Sequence, residues 1–192
     1  MSANSSLSAR KLAESAVLIA IGTVLSFFAF PGFWVLGGSI TFCSMLPLVV
    51  LSWRYGVKWG TFCAFIFSLI QMLLGIANVQ YADSVFTAIL IILFDYVVAF
   101  SVLGLAALFK GKLANPRMEL VLGITCTMLL RLACHFISGV VVWEALWPNE
   151  LGWAAPIWSI AYNASYMIPE IIITSLVAVL SYSHLEKFYQ GK

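Results

Sequence analysis

Four groups that normally sit in water stand inside runs that are otherwise apolar. They are Asp95 in 92-ILFDYVVAF-100, Arg131 and His135 in 131-RLACHFISGVVVW-143, and Glu170 at the end of 158-WSIAYNASYMIPE-170. A central Asp, Lys or Arg costs roughly 2.5–3.5 kcal/mol in a membrane-spanning helix, so such groups face protein or water and find partners. Helical spacing supplies neighbours. Arg131, His135, Gly139 and Trp143 recur every four residues, a stripe that drifts by only about 40° per step. Trp158, Tyr162, Tyr166 and Glu170 repeat the spacing, Asn163 stands beside Tyr162, and Tyr96 follows Asp95. A carboxylate, an imidazole, an amide and several ring faces suit a small, planar, polar or cationic ligand. Ring faces attract a cation by up to about 2 kcal/mol when desolvated, and Asp95 supplies the counter-charge. Gly139 leaves room for a flat ring to approach the backbone.

Two plainer readings compete. Asp95 and Arg131 pair as a buried ion pair that fixes helix packing, and Trp143 and Trp158 belong to an aromatic belt at the membrane surface. The belt does not explain Asn163, His135 and Asp95 in the same outer halves. Polar groups converging in an apolar cavity are the common form of a small-molecule site. In that reading His135 lines an outward cavity, and Arg131, one turn deeper, holds Asp95 or the cavity floor. The connection 31-PGFWVLGGS-39 is rich in glycine and aromatics and is suited to a lid. No G-x-x-x-x-G-K-[ST] loop is present to bind ATP, so energy for any transport comes from partners or an ion gradient.

The elements that must position these residues follow from composition. Of 192 residues, 62% are hydrophobic and 9% charged, with a mean hydropathy of +1.02. Soluble domains carry roughly 25% charged residues; a single polytopic membrane domain over residues 1–192 is the class that fits. A span needs about 20 mostly apolar residues. Breaks at Pro, Gly and charged positions leave six candidates, at 12–30, 38–53, 57–77, 85–109, 118–142 and 156–183, hence an all-α bundle of six transmembrane helices. The first is read as a retained helix rather than a cleaved signal. Arg10, Lys11, Arg54, Lys58, Lys110, Lys112, Arg117, Lys187 and Lys192 all fall on one side, while the opposite connections hold Asp83, Glu144 and Glu150 without a cation. The positive-inside rule then puts both termini in the cytoplasm. Cys43, Cys63, Cys126 and Cys134 lie in apolar segments without metal-ligand spacing, as small hydrophobes do. Small residues at i, i+4 spacing, Ala16 and Ala20 and then Gly56, Gly60, Ala64 and Ser68, permit close helix approach, within the chain or to a partner. No internal repeat is evident.

The residues quoted above, with 37-GGSITFCSMLPLVVLSWRYG-56, resemble the thiamine-specific S components of energy-coupling factor (ECF) transporters along essentially the whole chain. The resemblance implies a non-enzymatic subunit of a bacterial cell membrane. Such a subunit binds thiamine at its outer face and docks on a transmembrane coupling protein driven by two ATPases. No cofactor is implied for the chain itself, and no nucleic acid. Carried over by position, the ligand-contacting residues fall on Asp95, Tyr96, His135, Gly139, Trp143, Trp158 and Asn163, with Trp34 as the first-loop tryptophan. Arg131 and Tyr162 join them from the stripes. The family's small-xxx-small docking motif falls on Ala16 and Ala20. Asp rather than Glu at position 95, Arg rather than Lys at 131 and Trp rather than Tyr at 158 depart from the family pattern; the hydroxymethylpyrimidine half of thiamine is the alternative ligand. Two other classes stand against this one: an intramembrane enzyme using Asp95, Glu170 and His135, which lacks a nucleophile or catalytic motif, and an assembly protein whose buried charges only pack.

Overall fold

The computed structural model describes residues 2–30 and 38–189. Helix α1 (Ser2–Phe27) leads into strand β1 (Ala29–Phe30), which pairs antiparallel with β2 (Ile40–Thr41), Ala29 facing Thr41. Helices α2 (Leu46–Tyr55) and α3 (Val57–Leu74) follow, then a 3-10 turn over Ile76–Tyr81. The rest is α4 (Val85–Phe109), α5 (Pro116–Leu146) and α6 (Ala155–Tyr189). The boundaries have local causes. Ser84 caps α4 by accepting from the Thr87 N–H at 3.1 Å. Asn115 caps α5 from the Arg117 N–H at 2.9 Å, with Pro116 in the first turn, where its missing N–H costs nothing. Gly56, at φ 85°, makes the turn between α2 and α3 that a side chain would resist.

Among the described residues, α3, α4, α5 and α6 are each long and apolar enough to cross a membrane. Their outer faces expose large apolar side chains, such as Phe65, Phe86, Leu130, Ile172 and Leu180. On a soluble protein so extensive an apolar surface is a liability; against lipid tails it is the matching surface. The core lies between α2, α3, α4, α5 and α6, where Leu48, Leu51, Phe67, Leu103, Ile124 and Met167 are fully buried. Of the Gly56–Ser68 stripe, Gly60, Ala64 and Ser68 belong to this interior, whereas Gly56 is exposed. A Cβ on Gly60 would strike Ser52, and one on Gly104 would strike Thr61 and Gly60. Ser52 seals the crossing, its hydroxyl donating to the Gly104 carbonyl at 2.5 Å and accepting from the Ala107 N–H at 3.1 Å.

The expected helical span at 38–53 is corrected by the structure. Only Leu46–Tyr55 is helical, and ten residues rise about 15 Å, half the hydrocarbon thickness. The lead-in is a strand and a tight turn, with Gly38 at φ 87° and Cys43 at φ 59°. Non-helical backbone is tolerated at such depth only when protein satisfies it. Glu170 does so: its carboxylate accepts from the Thr41 N–H and the Thr41 hydroxyl, both at 2.6 Å. That is the structural use of one of the four intramembrane groups, and it ties β2 to the middle of α6.

At the opposite end of the bundle, Glu14 of α1 pairs with the Arg54 guanidinium at 2.6 Å and with Arg10 at 2.8 Å, and accepts from the Tyr55 hydroxyl. Arg54 also donates to the Phe188 carbonyl at 2.5 Å, so one buried cation joins α1, α2 and α6. Ala16 and Ala20 lie two and six residues further along α1 and are exposed.

Candidate functional site

A cavity of about 180 Å³ opens between α4, α5 and α6 at the end of the bundle where the β1–β2 and α3–α4 connections lie. Helical geometry alone does not place its polar wall. Helix α4 widens to π-helical turns over Ile92–Val97, and α5 does so over Gly139–Trp143. An added residue per turn rotates the side chains that follow, a distortion often found at functional sites. Here one such turn carries Asp95 and Tyr96 and the other carries Gly139 and Trp143.

Asp95 is the centre of the hydrogen-bond network. One carboxylate oxygen meets His135 Nδ1 at 3.1 Å; the other accepts from the Ser138 hydroxyl and the Trp143 indole N–H, both at 2.8 Å. A carboxylate oxygen offers no hydrogen, so His135 carries its proton on Nδ1. His135 lines the cavity, and among the described residues its buried Nε2 has no partner. Three donors on a largely buried carboxylate offset much of its desolvation and hold His135 and Trp143 in fixed orientations.

Aromatic rings form the remaining wall. Trp158, Tyr162 and Tyr166 run in sequence along α6, with ring centroids 5.6 Å and 6.3 Å apart. The Tyr166 ring lies edge-on to His135 at 6.4 Å. Trp143 stacks on Trp147 at 5.9 Å and 23°. Tyr96 turns its hydroxyl away, donating to the Gly75 carbonyl and accepting from Asn78 Nδ2, each at 2.9 Å, and so shows the cavity its ring. Asn163 is saturated by protein: Oδ1 accepts from the Tyr166 hydroxyl at 2.5 Å, and Nδ2 donates to the Ser159 carbonyl at 2.9 Å.

The structure thus brings Asp95, Tyr96, Arg131, His135, Gly139, Trp143, Trp158, Tyr162 and Asn163 to one cavity. Two expectations about them change. Arg131 forms no pair with Asp95: among the described residues no carboxylate lies within 4 Å of it, its Nε is buried without a partner, and its guanidinium stacks 4.3 Å over the Phe100 ring. Asp95 is already met by three nearer donors on the same helix α5, which leaves Arg131 to the apolar floor. At Gly139, the space a Cβ would take is filled by the Ser159 side chain, so its smallness admits α6 rather than a ring. Trp34 lies outside the described residues.

Sequence reasoning did not single out Ser138, Asn78, Trp147 or the lining roles of Gly38, Ser39, Phe100 and Glu144. Ser138 stands three residues past His135, on its face of α5, and periodicity could have found it. Asn78 and Glu144 sit near helix ends, where no periodic signal reaches.

The model of the family described as Thiamine transporter protein (Thia_YuaJ) matches residues 12–190. The chain belongs to this thiamine transporter family. It is 30% identical over 186 residues to the thiamine transporter ThiT of Bacillus subtilis, covering 88% of each protein. The solved structure of ThiT from Listeria monocytogenes superposes with a TM-score of 0.74 at 23% identity, over 94% of this chain and 97% of the other. The S component of a bacterial ECF transporter gives 0.62 at 21% identity, over 94% and 98%. At these identities the two structures establish a shared fold. Family and hydropathy together make this a multi-pass membrane protein of a transporter family, not an enzyme.

Proposed function

We propose that the chain is the thiamine-binding subunit of an ECF-type importer, taking the vitamin into the cavity from outside the cell. The observation that carries this is the Asp95 carboxylate, fixed by His135, Ser138 and Trp143 in a cavity otherwise walled by aromatic rings. Thiamine joins a permanently cationic thiazolium to a flat aminopyrimidine. The carboxylate answers the first, and ring faces with the free His135 Nε2 answer the second. The family match and the ThiT relative support the same ligand.

In this reading all six helices cross the bilayer, α2 with its non-helical lead-in, and both termini face the cytoplasm. The basic residues and the Glu14–Arg54 cluster then lie inside and the cavity opens outside. The exposed Ala16/Ala20 face of α1 receives a transmembrane coupling protein, whose two ATPase partners supply the energy. A titration panel tests the reading: thiamine, its phosphates, hydroxymethylpyrimidine and unrelated vitamins against purified protein, followed by calorimetry and tryptophan quenching. Thiamine should bind far more tightly than unrelated vitamins. Equal or absent binding across the panel sinks the proposal; a preference for hydroxymethylpyrimidine reassigns the ligand to the thiamine precursor.

A further inference from the structure

The mouth of the cavity carries a second carboxylate that the deep site does not use. Glu144 follows Trp143 directly and lines the cavity. Its Oε1 accepts from the Asn149 N–H at 3.3 Å and from Asn149 Nδ2 at 2.8 Å, while Oε2 is shielded and meets no donor among the described residues. Trp143 and Trp147 line the same cavity, and Trp147 and Tyr81 are partly open to solvent. Trp147 is 38% exposed, stacks on Trp143 and takes the edge of Tyr81 at 4.7 Å. A carboxylate with an unfilled acceptor beside open aromatic faces is the chemistry that recognises a soft organic cation.

The surrounding charge has one sign. The connections at this end contain Asp83, Glu144 and Glu150 and no Lys or Arg. Asp83 accepts from the Thr87 hydroxyl at 2.6 Å, which holds its carboxyl below the usual carboxylate range and keeps it charged in mildly acidic surroundings. Clefts lined by one sign of charge concentrate the opposite ion and raise its association rate.

We infer that Glu144, with Trp143, Trp147 and Tyr81, forms an entry subsite that captures the heteroaromatic cation before it reaches Asp95. This rests on the reading above that the ligand is thiamine. The subsite acts on arrival: it governs the association rate and its salt dependence, whereas Asp95 governs retention. Trp143 belongs to both, through its ring here and its N–H on Asp95.

Stopped-flow tryptophan quenching on the purified full chain with thiamine tests this. Glu144→Gln keeps an acceptor for Asn149 and removes the charge together with the unfilled acceptor, which becomes an amide NH2. At about 0.02 M salt its association rate should fall roughly 3- to 10-fold, a part of the steering that a one-signed cleft supplies. The difference should close near 1 M salt, where the screening length is about 3 Å. Dissociation and melting temperature should stay near wild type. Trp147→Leu should also slow association, and Glu150→Gln, at a residue off the cavity wall, should change it less than Glu144→Gln. Unchanged association in Glu144→Gln, or an equal loss in Glu150→Gln, overturns the subsite. Wild-type protein that gives neither quenching nor calorimetric heat with thiamine overturns the underlying ligand assignment instead.

Discussion

Replacing Asp95 by Asn probes the centre of the site with almost no change of volume. The carboxylate accepts three bonds, one from His135 Nδ1 and two shared by Ser138 and Trp143. An amide offers one acceptor oxygen and one donor group, so the network must either lose a bond or reverse one. With the NH2 toward Ser138 and Trp143, the hydroxyl can rotate to accept, but the indole N–H cannot. With the NH2 toward His135, the ring must move its proton to Nε2, turning the free acceptor on the cavity wall into a donor. Either arrangement also removes the negative charge that faces a bound cation. A lost charge-assisted bond is worth about 1.5–3 kcal/mol, so thiamine affinity should fall roughly 10- to 150-fold. Calorimetry in detergent measures it directly, with a thermal melt beside it to show that the bundle still folds. Near-wild-type affinity in a folded Asp95→Asn protein would refute the argument and leave Asp95 as a packing device.

Other substitutions separate the remaining readings. Arg131→Met removes a cation that stacks on Phe100 and, among the described residues, has no carboxylate within 4 Å; the melting temperature should hold or rise, and a drop of the size expected for a broken buried ion pair (about 3–5 kcal/mol) would restore the Asp95–Arg131 pair. Trp143→Phe loses the indole bond to Asp95, and Trp158→Phe changes a wall ring; at least one should reduce ligand-induced quenching, and intact quenching in both would make them belt residues. Ala16→Trp with Ala20→Trp places bulk on an exposed face of α1. Ligand affinity of the isolated protein should persist while ATP-dependent uptake with reconstituted partners fails; lost affinity would mean that the face is internal to the bundle, and unchanged uptake would place the docking surface elsewhere.

Hydropathy and charge determined much of this protein without coordinates. Runs at 57–77, 85–109, 118–142 and 156–183 contain or overlap the four helices that, among the described residues, are long and apolar enough to cross a membrane, because in lipid a long apolar run has to satisfy its own backbone and the helix does so locally. The four-residue stripes of α5 and α6 were legible for the same reason: residues one turn apart share a face whatever the helix packs against. Tertiary structure decided what no local rule contains. Whether Asp95 meets Arg131 or His135, Ser138 and Trp143 depends on the π-helical turns and on how α4 is set against α5. Whether Gly139 admits a ligand or a neighbouring helix depends on where Ser159 of α6 arrives. The segment before α2 could leave the helix because Glu170, more than a hundred residues later, supplies acceptors for Thr41. Those are distances between helices, set by the packing of whole side chains, and hydrophobic periodicity carries no record of them.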